Sequence, residues 1–175
     1  MTVVKSKRNA SKFEVVVQAE IVANNIVHFS WRRFGIKTPV KDGRRAFEEC
    51  IRQNCRTGAP GEAERAEKAL EMMVQKTVKA AENMQNMVTA ANTLYPISLH
   101  ECDIRRDYQN RAIAECQIIK NTMQRISKMY VVNMNQFTRY TNIVDREMKL
   151  IKGWRKADTR HLRSKYEGKS QGQPL

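Results

Sequence analysis

Residues 97–152 read ISLHECDIRRDYQNRAIAECQIIKNTMQRISKMYVVNMNQFTRYTNIVDREMKLIK, a stretch that contains neither glycine nor proline. Such a stretch favours helix, because nothing in it interrupts the ladder of backbone hydrogen bonds. Its apolar residues recur at spacings of 4 and 3, which places them on one side of a helix. The stretch therefore predicts two long amphipathic helices. Their apolar stripes are Ala112, Cys116, Ile119, Met123, Ile126 and Tyr130, then Phe137, Tyr140, Val144, Met148, Ile151 and Trp154.

The same spacing continues upstream, and no segment shows the apolar/polar alternation of a strand. Two further stripes are Val15, Ala19, Val22, Ile26 and Phe29, then Leu70, Val74, Thr77, Ala81, Met84, Val88, Ala91 and Tyr95. Proline and glycine place the breaks between the segments. The sequence predicts helices near 11–33, 43–56, 62–95, 100–131 and 135–158.

Long helices that each have one apolar face must pack side by side to bury it. We therefore expect an all-α fold, an antiparallel four-helix bundle with an extra short helix inserted in the first connection. The predicted bundle domain spans residues 1–158. Residues 159–175 are rich in arginine and lysine and then in glycine, serine and glutamine, which is typical of a flexible basic tail.

The charge of the chain restricts its partners. Lysine and arginine total 32 against 18 acidic residues in 175 residues, a formal net charge of +14. Such an excess repels itself, and a phosphate backbone is its most frequent partner. A solvated basic face and an acidic protein partner are the alternatives. No signal peptide or membrane-spanning run of about 20 apolar residues is visible, so we expect a cytoplasmic protein without membrane contact.

Signatures of catalysis and metal binding are missing from the sequence. There is no glycine-rich phosphate loop, and the four cysteines (Cys50, Cys55, Cys102 and Cys116) form no CxxC pair. We expect all four to be reduced, no cofactor and no enzymatic activity. One alternative stands against this: the spacing of Arg155 and His161 resembles the active-site spacing of HEPN-type ribonucleases, in which the histidine would act as general acid or base.

Basic residues are concentrated in the third and fourth long helices. Antiparallel packing brings the start of the third helix and the end of the fourth to the same end of the bundle, where their charges merge. The predicted nucleic-acid-binding residues are Arg105, Arg106, Arg111, Lys152, Arg155, Lys156, Arg160 and Arg163. Part of this enrichment has a structural cause, because cations near a helix C-terminus interact favourably with the helix dipole. Trp31 adjoins cations and could stack on bases, whereas Trp154 falls on an apolar stripe and is expected to be buried.

Several of these segments together resemble the Avd-like four-helix bundle proteins, the accessory variability determinants of diversity-generating retroelements. The resemblance covers most of the chain, and the ordered set of short motifs carries it. The insertion near 37–61 and the extended tail depart from the family pattern. The matching residues are Lys12–Val16, Ala91–Asn92, Arg106, Tyr108–Gln109, Ala112–Ile113, Cys116 and Leu150–Asp158.

The resemblance implies a role for the chain. Avd-like proteins associate with a reverse transcriptase and its template RNA, and they support mutagenic synthesis of the cDNA. They are similar to ring-forming homopentamers with a positively charged surface, and they have no catalytic residues of their own. Besides the HEPN-type ribonuclease toxin, two alternatives stay open: a four-helix bundle protein encoded in a ribosomal RNA intervening sequence, and a scaffold that binds only protein.

Overall fold

A computed structural model describes residues 12–36, 63–95 and 98–167. Four long helices make up nearly all of this part: α1 (Lys12–Trp31), α2 (Ala63–Thr93), α3 (Leu99–Met129) and α4 (Met134–Glu167). A short 3₁₀ turn, Arg33–Gly35, follows α1. The predicted short helix at 43–56, together with Cys50 and Cys55, lies outside the described residues.

The helices pack in a closed ring. α1 contacts α2, α2 contacts α3, α3 contacts α4, and α4 contacts α1. Side-chain contacts fix their directions: Arg33 after α1 pairs with Glu71 near the start of α2, and Tyr130 after α3 bonds to Ala66 of α2. Consecutive helices are therefore antiparallel. The prediction of an all-helical four-helix bundle is confirmed.

The core is built from the four stripes that the sequence spacing predicts. Every residue of the α1 stripe is buried, and so is every residue of the α3 stripe, including Tyr130 just beyond its end. In α4, Tyr140 is partly buried and the other five are buried. Tyr95 is the exception among the stripe residues, since 76% of its surface is exposed. It follows the last residue of α2, Thr93, and so lies beyond the bundle.

Aromatic side chains close one end of the bundle, where α1 stops. The ring of Phe29 stacks on Tyr140 with centroids 3.9 Å apart, and it meets Phe34 and Phe137 edge-on. Phe34 is fully buried although its φ is +56°. A positive φ disfavours a residue with a Cβ by about 1 kcal/mol, and burial of a phenyl ring more than offsets that. We call this the aromatic end.

Local hydrogen bonds determine where α3 and α4 begin. Ser98 accepts from the backbone N–H of Glu101, and the Glu101 carboxylate accepts from the backbone N–H of Ser98. This capping box satisfies two donors at the start of α3. Asn133 caps α4, because its side-chain oxygen accepts from the backbone of Asn135 and Gln136. Both helices therefore begin at residues whose side chains replace missing backbone partners.

Helix α4 is longer than the sequence reading predicts. It continues through Glu167 instead of stopping at 158, so the predicted start of the tail at 159 lies inside the helix. No glycine or proline follows Gly153 until Gly168, and polar composition alone does not end a helix. The predicted helix end at 158 follows from the apolar stripe, whose last residue is Trp154.

Cys116 is a buried free thiol, in agreement with the expectation that it is reduced, and Cys102 is buried as well. Within residues 12–36, 63–95 and 98–167, no cluster of three His, Cys, Asp or Glu side chains could hold a metal ion. None of the helices in this part of the chain is long and apolar enough to cross a membrane.

Candidate nucleic-acid interface

A polar cluster joins α3 to α4 at the end of the bundle opposite the aromatic end; we call this the basic end. Arg106 donates a hydrogen bond to Oγ1 of Thr159 over 2.8 Å, and Thr159 donates to the backbone oxygen of Arg155. Arg155 in turn donates to Oδ1 of Asn110. The start of α3 and the end of α4 therefore lie side by side, as antiparallel packing predicts.

Arg105 belongs to the interior of this end. Only 5% of its surface is exposed, and its Nε lies 3.0 Å from Oδ2 of Asp158. Its guanidinium carbon is 4.7 Å from the centre of the Trp154 ring. Burial lowers the pKa of Arg105, and the charge of Asp158 opposes that shift. The predicted RNA contact at Arg105 is thus a buried side chain already engaged by protein groups.

Asp158 is held by a second partner as well. Gln109, which is buried, donates from Nε2 to Oδ2 of Asp158 over 2.8 Å. Arg105 also donates weakly to the backbone oxygen of Leu94, which follows α2. These bonds connect α4 to α3 and to the connection before α3. They fix the orientation of the last third of α4 against the bundle.

Five of the cations of α4 form a row. Successive residues of a helix turn by about 100°, so positions spaced by 3 and 4 share one face within about 80°. Lys149, Lys152, Lys156 and Arg160 have this spacing and are exposed, and Arg163 continues the series on the same helix. This face lies opposite the buried residues Glu147, Ile151 and Trp154. We call these five residues the cation row.

Between Met134 and Arg160, no acidic residue of α4 pairs with the cation row. This part of α4 contains three acids, of which one, Asp145, lies on the same face, four residues before Lys149. Asp145 pairs with Lys120 of α3, Glu147 is buried, and Asp158 pairs with Arg105. Like charges at i and i+4 repel, as at Lys152 and Lys156, so an anion bound there relieves that repulsion.

The helix dipole does not account for this row. Its effect falls off within the last turn of a helix, and α4 ends at Glu167. Lys149, Lys152 and Lys156 lie two or more turns before that end. The sequence predicts that α4 ends at 158, where the helix dipole would favour these cations. Because α4 continues to Glu167, the dipole does not explain Lys149, Lys152 and Lys156.

Arg111 lies on a different surface. It is five positions after Arg106, which places the two side chains about 140° apart around α3. Since Arg106 contacts α4, Arg111 faces away from it. Arg111 forms an exposed ion pair with Asp107 over 2.8 Å. Acids also accompany the other arginines at the start of α3, because Glu101, Asp103 and Asp107 lie among them.

The site therefore differs in composition from the predicted set. The structure brings together Arg106, Arg155 and the cation row, and it separates them from Arg105 and Arg111. Lys149 belongs to the row although it is not among the predicted nucleic-acid contacts. The sequence contains the information needed to include Lys149, because it precedes Lys152 by three residues and Lys152 precedes Lys156 by four.

The two tryptophans also lie in different environments. Trp154 is 7% exposed, in agreement with the expectation that it is buried, and Trp31 is 65% exposed at the end of α1. Trp31 meets the ring of His28 edge-on at the aromatic end. It is therefore remote from the cation row, and stacking at Trp31 would involve a separate contact.

The fold and this surface define a four-helix bundle with a cationic face along its last helix. The chain matches no protein-family model. No curated protein and no solved structure matches it either.

Proposed function

We propose that this chain is a non-catalytic, Avd-like accessory protein of the cytoplasm. It binds the template RNA and its cDNA through the cation row of α4 and associates with a reverse transcriptase during mutagenic cDNA synthesis. The reverse transcriptase supplies the chemistry, and the chain acts as a homo-oligomer, a homopentamer by the family resemblance. The observation that carries the RNA-binding part is the cation row, which is exposed from Lys149 to Arg160 and with which no acid of α4 between Met134 and Arg160 pairs.

The geometry of the row fits a phosphate backbone. From Lys149 to Arg163 the helix rises by 14 residue steps, or about 21 Å at 1.5 Å per residue. Regularly placed cations bind phosphates through charge and release counterions without reading the base sequence. Arg106 and Arg155 flank the row at the junction with α3. Their hydrogen bonds to Thr159 and Asn110 hold them at the surface next to it.

A triple charge reversal tests this proposal. Lys152→Glu, Lys156→Glu and Arg160→Glu are combined in one variant, and binding to the template RNA is measured across a range of salt concentrations. We expect binding to be lost at physiological salt, with the helical circular dichroism unchanged. The salt dependence should weaken by about 0.7 in the log–log slope for each single-strand phosphate contact removed.

A matched control separates the row from net charge. Lys76→Glu, Lys79→Glu and Lys128→Glu reverse three exposed lysines on α2 and α3 and change the total charge equally. This variant should keep most of the RNA affinity. Equal loss in both variants would show that total charge, and not the row, determines binding. Unchanged affinity in the triple variant of Lys152, Lys156 and Arg160, which we call the α4 variant, would reject the row as the binding surface.

Two further measurements test the association with a reverse transcriptase and the alternative that the chain is a ribonuclease. The accessory role requires co-purification with a reverse transcriptase and loss of cDNA synthesis in the α4 variant. The ribonuclease alternative requires that the purified chain cleave RNA and that His161→Ala abolish the cleavage. We expect no cleavage by either form and no effect of His161→Ala on cDNA synthesis.

A further inference from the structure

A single carboxyl group lies in the apolar core of the bundle. Glu147, near the middle of α4, has no exposed surface. Among the residues that the structure describes, no group donates a hydrogen bond to either of its carboxyl oxygens. Its neighbours one turn away on α4, Val144 and Ile151, are also fully buried. A carboxylate in such surroundings has lost its hydration without gaining a partner.

The groups that face Glu147 from α3 do not supply a compensating charge. Cys116 is a buried thiol, and the negative charge of Glu147 helps to raise the pKa of that thiol to about 12, after the larger effect of burial. Glu115, next to Cys116 in the sequence, is an acid that accepts a hydrogen bond from Asn83 of α2. Lys120, four residues after Cys116 on α3, is already paired with Asp145 over 2.6 Å.

The other elements offer no compensating charge either. In the described part of α1 and α2, the buried polar side chains are Ser30 and Thr77, which both donate to backbone oxygens of their own helices. The acids of α1, Glu14 and Glu20, are exposed. The buried cation Arg105 is held by Asp158. Since Asp158 lies 11 residues after Glu147, that pair is about 16 Å away along the helix axis.

On α4 itself, the neighbouring cation is Arg146. Burial raises the pKa of Glu147 from 4.5 to about 8, and the charge of Arg146 only partly opposes the shift. Arg146 is exposed, so its charge is screened by solvent. The neutral acid is therefore the form that the closed core accommodates near neutral pH.

We propose that Glu147 is a proton-operated latch of the bundle: the closed packing of α4 against α3 and α1 holds a neutral carboxylic acid, and loss of its proton loosens that packing. The step is an acid–base exchange, in which the proton passes to solvent and the new carboxylate must be hydrated. Water can reach it only if α4 separates from its neighbours. This inference does not depend on nucleic-acid binding.

The sign of the pH dependence follows from proton linkage. In the unfolded chain the carboxyl titrates near its ordinary value, and in the folded chain it titrates higher. Between these two values the folded state holds one more proton than the unfolded state, so the contribution to stability falls as pH rises. The contribution of the protonated Glu147 to stability is fully present below pH 4.5 and is lost progressively up to about pH 8. Above that pH, stability no longer changes through this group.

The test compares three proteins by urea unfolding between pH 5 and pH 9: the wild type, Glu147→Gln, and the control Glu82→Gln on the exposed face of α2. One extra bound proton changes the folding equilibrium constant by up to tenfold per pH unit. We expect the ratio of the wild-type constant to that of Glu147→Gln to fall with this slope as pH rises to 8 and then to level off. Glu82→Gln should follow the wild type.

Parallel profiles for the wild type and Glu147→Gln would overturn the proposal. A second measurement applies even if Glu147→Gln does not fold. The infrared spectrum of the folded wild type at pH 7 should contain the band of a protonated carboxyl group, and this band should disappear as pH passes 8. Its absence at pH 7 would overturn the latch whatever the RNA-binding experiments give.

Discussion

Nε of Arg105 lies 3.0 Å from Oδ2 of Asp158, with the guanidinium over the face of Trp154. The pair joins α3 to the C-terminal half of α4, along which most of the cation row lies. Arg105 and Arg106 are adjacent in sequence, yet one lies inside the bundle and the other on its surface. The buried arginine therefore positions the helix on which the exposed cations lie.

Removing the charge of Asp158 should destabilise the bundle. In Asp158→Asn, the buried Arg105 keeps its charge but loses its ionic partner, and a buried cation without a partner is costly. Because Asp158 is partly exposed, we expect a loss of about 2 kcal/mol in the free energy of unfolding, below the usual range for a fully buried pair. Urea denaturation measures it. Asp103→Asn, on the exposed face of α3, should change stability by less than about 0.5 kcal/mol. Equal losses would contradict a structural role for the pair.

The periodicity of the sequence was sufficient for the helices and their buried faces, because burial in a bundle follows helical spacing directly. Val15, Leu70, Ile119 and Ile151 all lie in the core as the spacing predicts. The same spacing could not show that Glu147 is buried. A glutamate normally indicates a solvated face, and only the packed neighbours reveal its environment.

The candidate site was less predictable from sequence than the fold. Clustering along the chain grouped Arg105, Arg106 and Arg111, but these three positions point in different directions around α3. Which of them faces α4 depends on how the two helices pack, and that is a tertiary contact. The cation row was easier to predict, because Lys152, Lys156 and Arg160 share one face of a single helix.

The hydroxyl of Tyr130 links two helices near the aromatic end. It donates a hydrogen bond to the backbone oxygen of Ala66, and both residues are buried. In Tyr130→Phe, that carbonyl loses this bond but keeps its place in the backbone ladder of α2, so we expect stability to fall by about 1 kcal/mol. Thermal or urea unfolding measures the change. Tyr108→Phe on the partly buried face of α3 is the control and should have a smaller effect. An unchanged midpoint for Tyr130→Phe would show that the bond contributes nothing.

Gly35 ends the turn after α1 with φ at +74°. A Cβ added there would lie 2.7 Å from Oε1 of Gln136, a flexible side chain that can move. The backbone conformation is therefore the main obstacle, and Gly35→Ala should cost about 1 kcal/mol of stability. Combining it with Gln136→Ala separates the two causes. Full recovery in the double variant would mean that the contact with Gln136, and not the positive φ, requires glycine.

The directions of Arg111 and Lys152 give the sharpest test of where RNA binds. Arg111 faces away from α4 and pairs with Asp107, whereas Lys152 lies within the cation row. Both are exposed cations, so Arg111→Glu and Lys152→Glu change the net charge equally. If RNA follows the row, Lys152→Glu should lower the log–log salt slope by about 0.7 for a single strand, and Arg111→Glu should leave it nearly unchanged. Binding titrations at four or more salt concentrations measure both slopes. A larger effect of Arg111→Glu would move the interface from α4 to the opposite flank of α3.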